Sequence, residues 1–119
     1  MNLSVIDKIA LSHYSSLEKQ SLYQLLCAAM NSDGVQDPRE KSIIEEIVCL
    51  IGLSGEERQA SRSLDANTMT DVLKNMEDMK KLYVGKFMAQ IILADGVVTQ
   101  KEEAFFNHFF RVLNLPQIS

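Results

Sequence analysis

The sequence has little with which to bind a polyanion, cross a membrane or run covalent chemistry. Lys and Arg number 12 against 16 Asp and Glu, a formal net charge of −4. That balance argues against nucleic acid as the main partner. The densest basic spot is Lys80-Lys81, and two lysines do not make a phosphate-binding stripe. No apolar run approaches the ~18–20 residues that span a bilayer, so no direct membrane insertion is expected. Met1-Asn2-Leu3-Ser4 lacks the basic start and apolar core of a signal peptide. Cys27 and Cys49 lie in apolar helical patterns, away from any ligand-like cluster. Two buried thiols in a reducing cytoplasm are expected, a bridge between them being the alternative. His13 and His108 are isolated. His108 has Ala104 and Val112 one helical turn away, which fits a partly exposed helix residue better than a ligand or base. There is no glycine-rich phosphate loop and no G-x-S-x-G stretch. Ser15, Ser16 and Ser54 have helix-capping roles available.

Hydrophobic residues make up 46% of a 119-residue chain, which suits one folded domain over residues 1–119. A chain of this size buries about two-thirds of its unfolded surface. One short stretch occurs twice. The first copy runs from Asp33-Gly34-Val35 to Glu40, the second from Asp95-Gly96-Val97 to Glu102. The apolar positions downstream also match: Ile43, Ile44, Ile47 and Val48 fall opposite Phe105, Phe106, Phe109 and Phe110. Further on, Ile51 and Leu53 fall opposite Leu113 and Leu115. Upstream, Leu25, Leu26, Ala29 and Met30 fall opposite Phe87, Met88, Ile91 and Ile92. Each copy reads as helix, tight Asp-Gly turn, capped helix.

In chain order, Leu3, Ile6, Ile9 and Ala10 predict a short amphipathic helix over 2–13. Ser15 with Glu18 forms a capping box for the next helix, which ends near Asn31-Ser32. Asp37-Pro38-Arg39-Glu40 is a strong start signal for a helix that Gly52 stops. Ser54 with Glu57 opens a short polar helix to about Ser63. Asn67 or Thr68 starts another, through Met69, Val72, Leu73 and Met76. A long helix from about Glu77 to Ala94 buries Leu82, Val84, Phe87, Met88, Ile91 and Ile92. Thr99 with Glu102 repeats the capping box, and Pro116 bars extension of the last helix. Strand alternation is missing. The fold expected is all-α, a single-domain bundle of about six or seven helices built from two related helical hairpins. Met69, Met76 and Met79 read as core filler around the connector. The Phe105–Phe110 cluster reads as core with one ring free to mark an interface.

If the two turns approach, four carboxylates gather: Asp33, Glu40, Asp95 and Glu102. A divalent cation would offset their repulsion, and oxygen ligands suit Ca²⁺, Mg²⁺ or Mn²⁺. Capping also accounts for both glutamates, which favour the positive end of a helix dipole. The two roles are compatible, because a carboxylate has two oxygens. A true EF-hand is excluded. Gly-to-Glu spacing matches positions six to twelve, but position one would be Ala29 and Ile91.

The double pattern, seen as Ala94-Asp95-Gly96 with Glu102, resembles the TerB-like fold of the tellurite-resistance proteins. It is similar also to the N-terminal part of certain membrane-anchored DnaJ-type co-chaperones. The resemblance covers nearly the whole chain and is strongest over 22–53 and 84–115. It implies an all-helical fold with two related halves and a proposed divalent-metal site at Asp33, Glu40, Asp95 and Glu102. It implies a stress-response setting too. The first copy departs in having Ser32 before Asp33. Lys41 and Glu103 follow the two glutamates, so the half-sites need not be equal.

The leading expectation is a non-enzymatic, metal-linked interaction module, with Ca, Mg, Mn or Zn as the ion. It would be cytoplasmic and would present a surface to a protein partner, a membrane-associated one included. A metal-independent scaffold or homo-oligomerisation domain is the alternative. A carboxylate-metal hydrolase stands further back, because no His or Lys is matched to the carboxylates.

Overall fold

Most helices in this chain, though not all, begin where a side chain accepts an orphan amide proton of the first turn. The computed structural model describes residues 13–32, 34, 37–94 and 96–115. Six helices lie within them: α1 (Ser16–Met30), α2 (Pro38–Ile51), α3 (Gly55–Ser61), α4 (Ala66–Lys74), α5 (Asp78–Leu93) and α6 (Gln100–Val112). No strand occurs among the described residues, and the fold is all-α. The helix predicted over 2–13 falls almost wholly outside the described residues.

The capping boxes predicted at α1, α3 and α6 form, while the one predicted at α2 between Asp37 and Glu40 does not, because the Asp37 carboxylate takes the Arg39 amide instead. At α1, the Glu18 amide donates to Ser15 Oγ (3.1 Å) and the Ser15 amide to Glu18 Oε1 (2.8 Å). Ser54 and Glu57 repeat this at α3. Each such cap stabilises its helix by about 1 kcal/mol. At α2 the Arg39 amide donates to Asp37 Oδ1 (2.7 Å), with Pro38 at the first helical position. Helix α4 starts slightly earlier than predicted, after Asp65, with no side-chain cap bond. Gly52 ends α2 at φ +71°, and Asn114 takes the same left-handed place after α6 at φ +54°. The bond from the Leu53 amide to Val48 O (3.1 Å) recurs from the Leu115 amide to Phe110 O (3.0 Å). These are the crossed bonds of a helix C-terminus, present once in each copy.

Burial follows the doubling on the inner helices, whereas on the outer ones Ile44 and Ile47 are buried and their counterparts Phe106 and Phe109 only half-buried. Leu25, Leu26, Ala29 and Met30 are buried, and so are Phe87, Met88, Ile91 and Ile92. Helix α1 packs on all five others, and α5 packs on α1, α2 and α6. Thus each hairpin closes on itself, the inner helices α1 and α5 pack together, and each outer helix also rests on the other hairpin's inner helix. A pseudo-two-fold relating the hairpins requires that set of pairings. The Cα radius of gyration, 13.2 Å, is that expected of one domain of this length.

Some placements differ from the sequence reading. On α5, Leu82 is only half-buried, while Lys81 and Tyr83 are buried. Stepping back three residues from Val84 along its face reaches Lys81, not Leu82. Cys49 is exposed rather than buried, because Ile47 and Ile51 fix the inward face of α2 and Cys49 falls opposite. Cys27 is half-buried, and both thiols are free. Met79 is exposed, whereas Met69 and Met76 fill the core as expected.

Candidate functional site: two acidic turns and the grooves beside them

The described residues around the two Asp-Gly pairs share their backbone hydrogen bonds. In the first, the Ser32 amide donates to Ala29 O (3.2 Å) and the Gly34 amide to Asn31 O (3.0 Å). In the second, the Ala94 amide donates to Ile91 O (3.3 Å) and the Gly96 amide to Leu93 O (3.0 Å). Gly34 and Gly96 sit at φ +80° and +78°. A Cβ at either would meet nothing within 4 Å, so only the backbone objects to a side chain. Gly96→Ala should therefore cost about 1–2 kcal/mol in urea denaturation, and Gly96→Asn clearly less, because Asn visits this region more readily. Equal losses would show that crowding, not conformation, holds the glycine.

Beyond each turn, the next helix buries a glutamate in its first turn. Glu40 is 2% exposed and Glu102 1%. The Glu102 amide donates to Thr99 Oγ1 (3.1 Å), and Glu102 Oε1 accepts from the Thr99 amide (3.1 Å). Capping thus uses one oxygen. Glu102 Oε2 is buried and has no hydrogen-bond partner among the described residues. A buried carboxylate oxygen without a donor costs on the order of 1–3 kcal/mol. A cation beside it would remove that cost.

Asp33 and Asp95 lie outside the described residues. Among the described residues, no three His, Cys, Asp or Glu side chains come together as a metal cage would need. The Tyr14 hydroxyl donates to Lys80 O (3.0 Å), and Lys80 Nζ pairs with Glu18 Oε1 at 2.8 Å. Burial pushes the Glu18 carboxyl up, but Lys80 and the Ser15 bonds outweigh it and hold it below its usual range. These contacts join the N-terminal ends of α1 and α5. Both acidic turns leave the opposite, C-terminal ends of those same two helices.

Each copy also carries a groove between its two helices. In the second, Ala89, Ile92, Leu93, Val98, Glu103 and Phe106 line about 180 Å³. In the first, Cys27, Met30, Lys41 and Ile44 help to line about 150 Å³. Under the overlay of the two copies, those four correspond to Ala89, Ile92, Glu103 and Phe106. The phenylalanines of α6 are all half-buried against the core, and the exposed His108 ring meets Phe109 edge-on at 5.0 Å. Sequence reading missed the groove, although its signal is there: Leu93 and Val98 replace Asn31 and Gln36.

No helix among the described residues is long and apolar enough to cross a membrane. No family model matches the sequence, and no curated protein matches it. Among solved structures, the chain is similar to the protein of unknown function PG1108 from Porphyromonas gingivalis W83. The two share 19% identity at a TM-score of 0.75, over 100% of this chain and 87% of that one. At that identity the likeness speaks for the fold alone.

Proposed function

We propose that the chain is a non-enzymatic helical interaction module whose acidic turns take up a divalent cation. It would be of the tellurite-resistance TerB-like type, acting in a stress response in the cytoplasm, where free thiols persist. The observation that carries the cation is Glu102 Oε2, buried and without a partner among the described residues. Support comes from the matching burial of Glu40 in the same place of the other copy, and from two turns that each follow the C-terminal end of a helix in a pair joined at its N-terminal ends. Asp33, Glu40, Asp95 and Glu102 would be the ligands. Carboxylates of this kind suit Ca²⁺, Mg²⁺ or Mn²⁺, and Zn²⁺ accepts them as well. The bound ion would pin the two turns and so fix how the hairpins present their surfaces to a protein partner.

Calorimetric titration with each of the four ions tests this. Saturable binding of one ion per chain, below millimolar, is expected for at least one of them. No heat from any ion at millimolar levels removes the cation from the proposal. A metal-independent scaffold would then be the better reading, favoured by the exposed Leu93, Val97 and Val98.

A further inference from the structure

We infer that the groove of the second copy receives an amphipathic helix from a protein partner, with an arginine or lysine at its edge. The first copy supplies the precedent. There, Arg58 of helix α3 helps to line the groove. Arg58 Nε donates to the Tyr23 hydroxyl (2.8 Å), and Arg58 Nη1 donates to Glu45 Oε2 (3.0 Å). One guanidinium from α3 thus bridges α1 and α2, and it also lies 5.0 Å from the centre of the Tyr23 ring. Gln24 Nε2 donates to Leu64 O (2.7 Å) and fastens the exit of α3. So a groove edged by a cation from a neighbouring helix already exists in this molecule.

In the second copy the floor is retained. The anchors for an Arg58-like bridge are gone: Gly85 and Asn107 stand where Tyr23 and Glu45 stand in the first copy. The wall has become apolar where it is exposed. Leu93 is 58% exposed and Val98 41%, and their counterparts are Asn31 and Gln36. Exposed leucine and valine around a groove mark a surface meant to be covered. The rim has changed sign as well, because Glu103 replaces Lys41. Glu103 is exposed and makes no ion pair among the described residues. An apolar floor, apolar walls and one acid at the rim fit the apolar stripe of a helix edged by a cation. The surface stands without the cation site, so its test is run with a chelator present.

Two synthetic helical peptides with the same leucine stripe serve as probes, one flanked by arginine and the other by glutamate. Each is titrated into the isotope-labelled full chain and followed by amide shifts. The arginine peptide should shift Leu93, Val98, Glu103 and Phe106 and bind about tenfold more tightly than the glutamate peptide. Glu103→Lys should invert that preference. Leu93→Asp should abolish binding of both peptides without lowering the melting temperature. Equal binding of the two peptides, or shifts centred elsewhere, overturns the inference. So does a wild-type dimer in sedimentation that Leu93→Asp dissolves, since the occupant is then a second copy.

Discussion

Glu102→Gln is expected to stabilise the cation-free protein and to abolish its response to added cation. The amide keeps an oxygen for the Thr99 amide proton, so the cap at 3.1 Å survives. What changes is the buried Oε2, where a charge gives way to a neutral amide. If the other carboxylates gather there, the new N–H groups find acceptors among them. The gain should be about 1–2 kcal/mol, since an unpaired buried charge is the costlier state. In a domain of this size that raises the melting temperature by roughly 4–8 °C. The wild type should behave in the opposite sense. At a hundredfold excess of ion over its Kd it gains about 2.7 kcal/mol. The substituted protein should gain almost nothing. Melting curves with and without ion, read beside calorimetry, test both halves. A Gln variant that is less stable without ion, and still stabilised by it, would leave Glu102 an ordinary capping residue.

Phe87→Ala should lower stability by about 3–5 kcal/mol, the usual cost of emptying a large buried site. Phe87 is 1% exposed, in the middle of α5, with the Tyr83 ring 6.1 Å away. Its counterpart, Leu25, occupies the same depth of α1 at 0% exposure. A domain with about 5–15 kcal/mol of stability loses much of its margin in such a change. The same truncation at the half-buried Phe110 should cost less than half as much. Urea denaturation of both variants decides the point. Equal losses would mean that α6, rather than α5, carries the core of its hairpin.

Much of this architecture is legible in the residues because its signals are local. Ser15, Ser54 and Thr99 each cap with a glutamate three residues on, and that pairing depends on nothing distant. Gly34 and Gly96 mark turns because the left-handed region is cheap for glycine. The doubled apolar pattern predicts which residues are buried on α1 and α5. It does worse where one residue of phase decides, as at Lys81 and Leu82, or on the far side of α2 at Cys49. The groove of the second copy is the least legible part. Its meaning depends on what α3 does elsewhere in the molecule, and Arg58, Tyr23 and Glu45 lie in three different helices. For the acidic turns, spacing names the carboxylates but not their surroundings. Only burial separates the two oxygens of Glu102, one spoken for by the cap and one left over.

The crosswise seating of α2 on α5 and of α6 on α1 has a further effect. Neither elbow encloses a core of its own, so prising one open strips shelter from the other. The molecule should therefore melt in a single transition. Anything that grips the paired ends of α1 and α5 acts on that whole equilibrium at once.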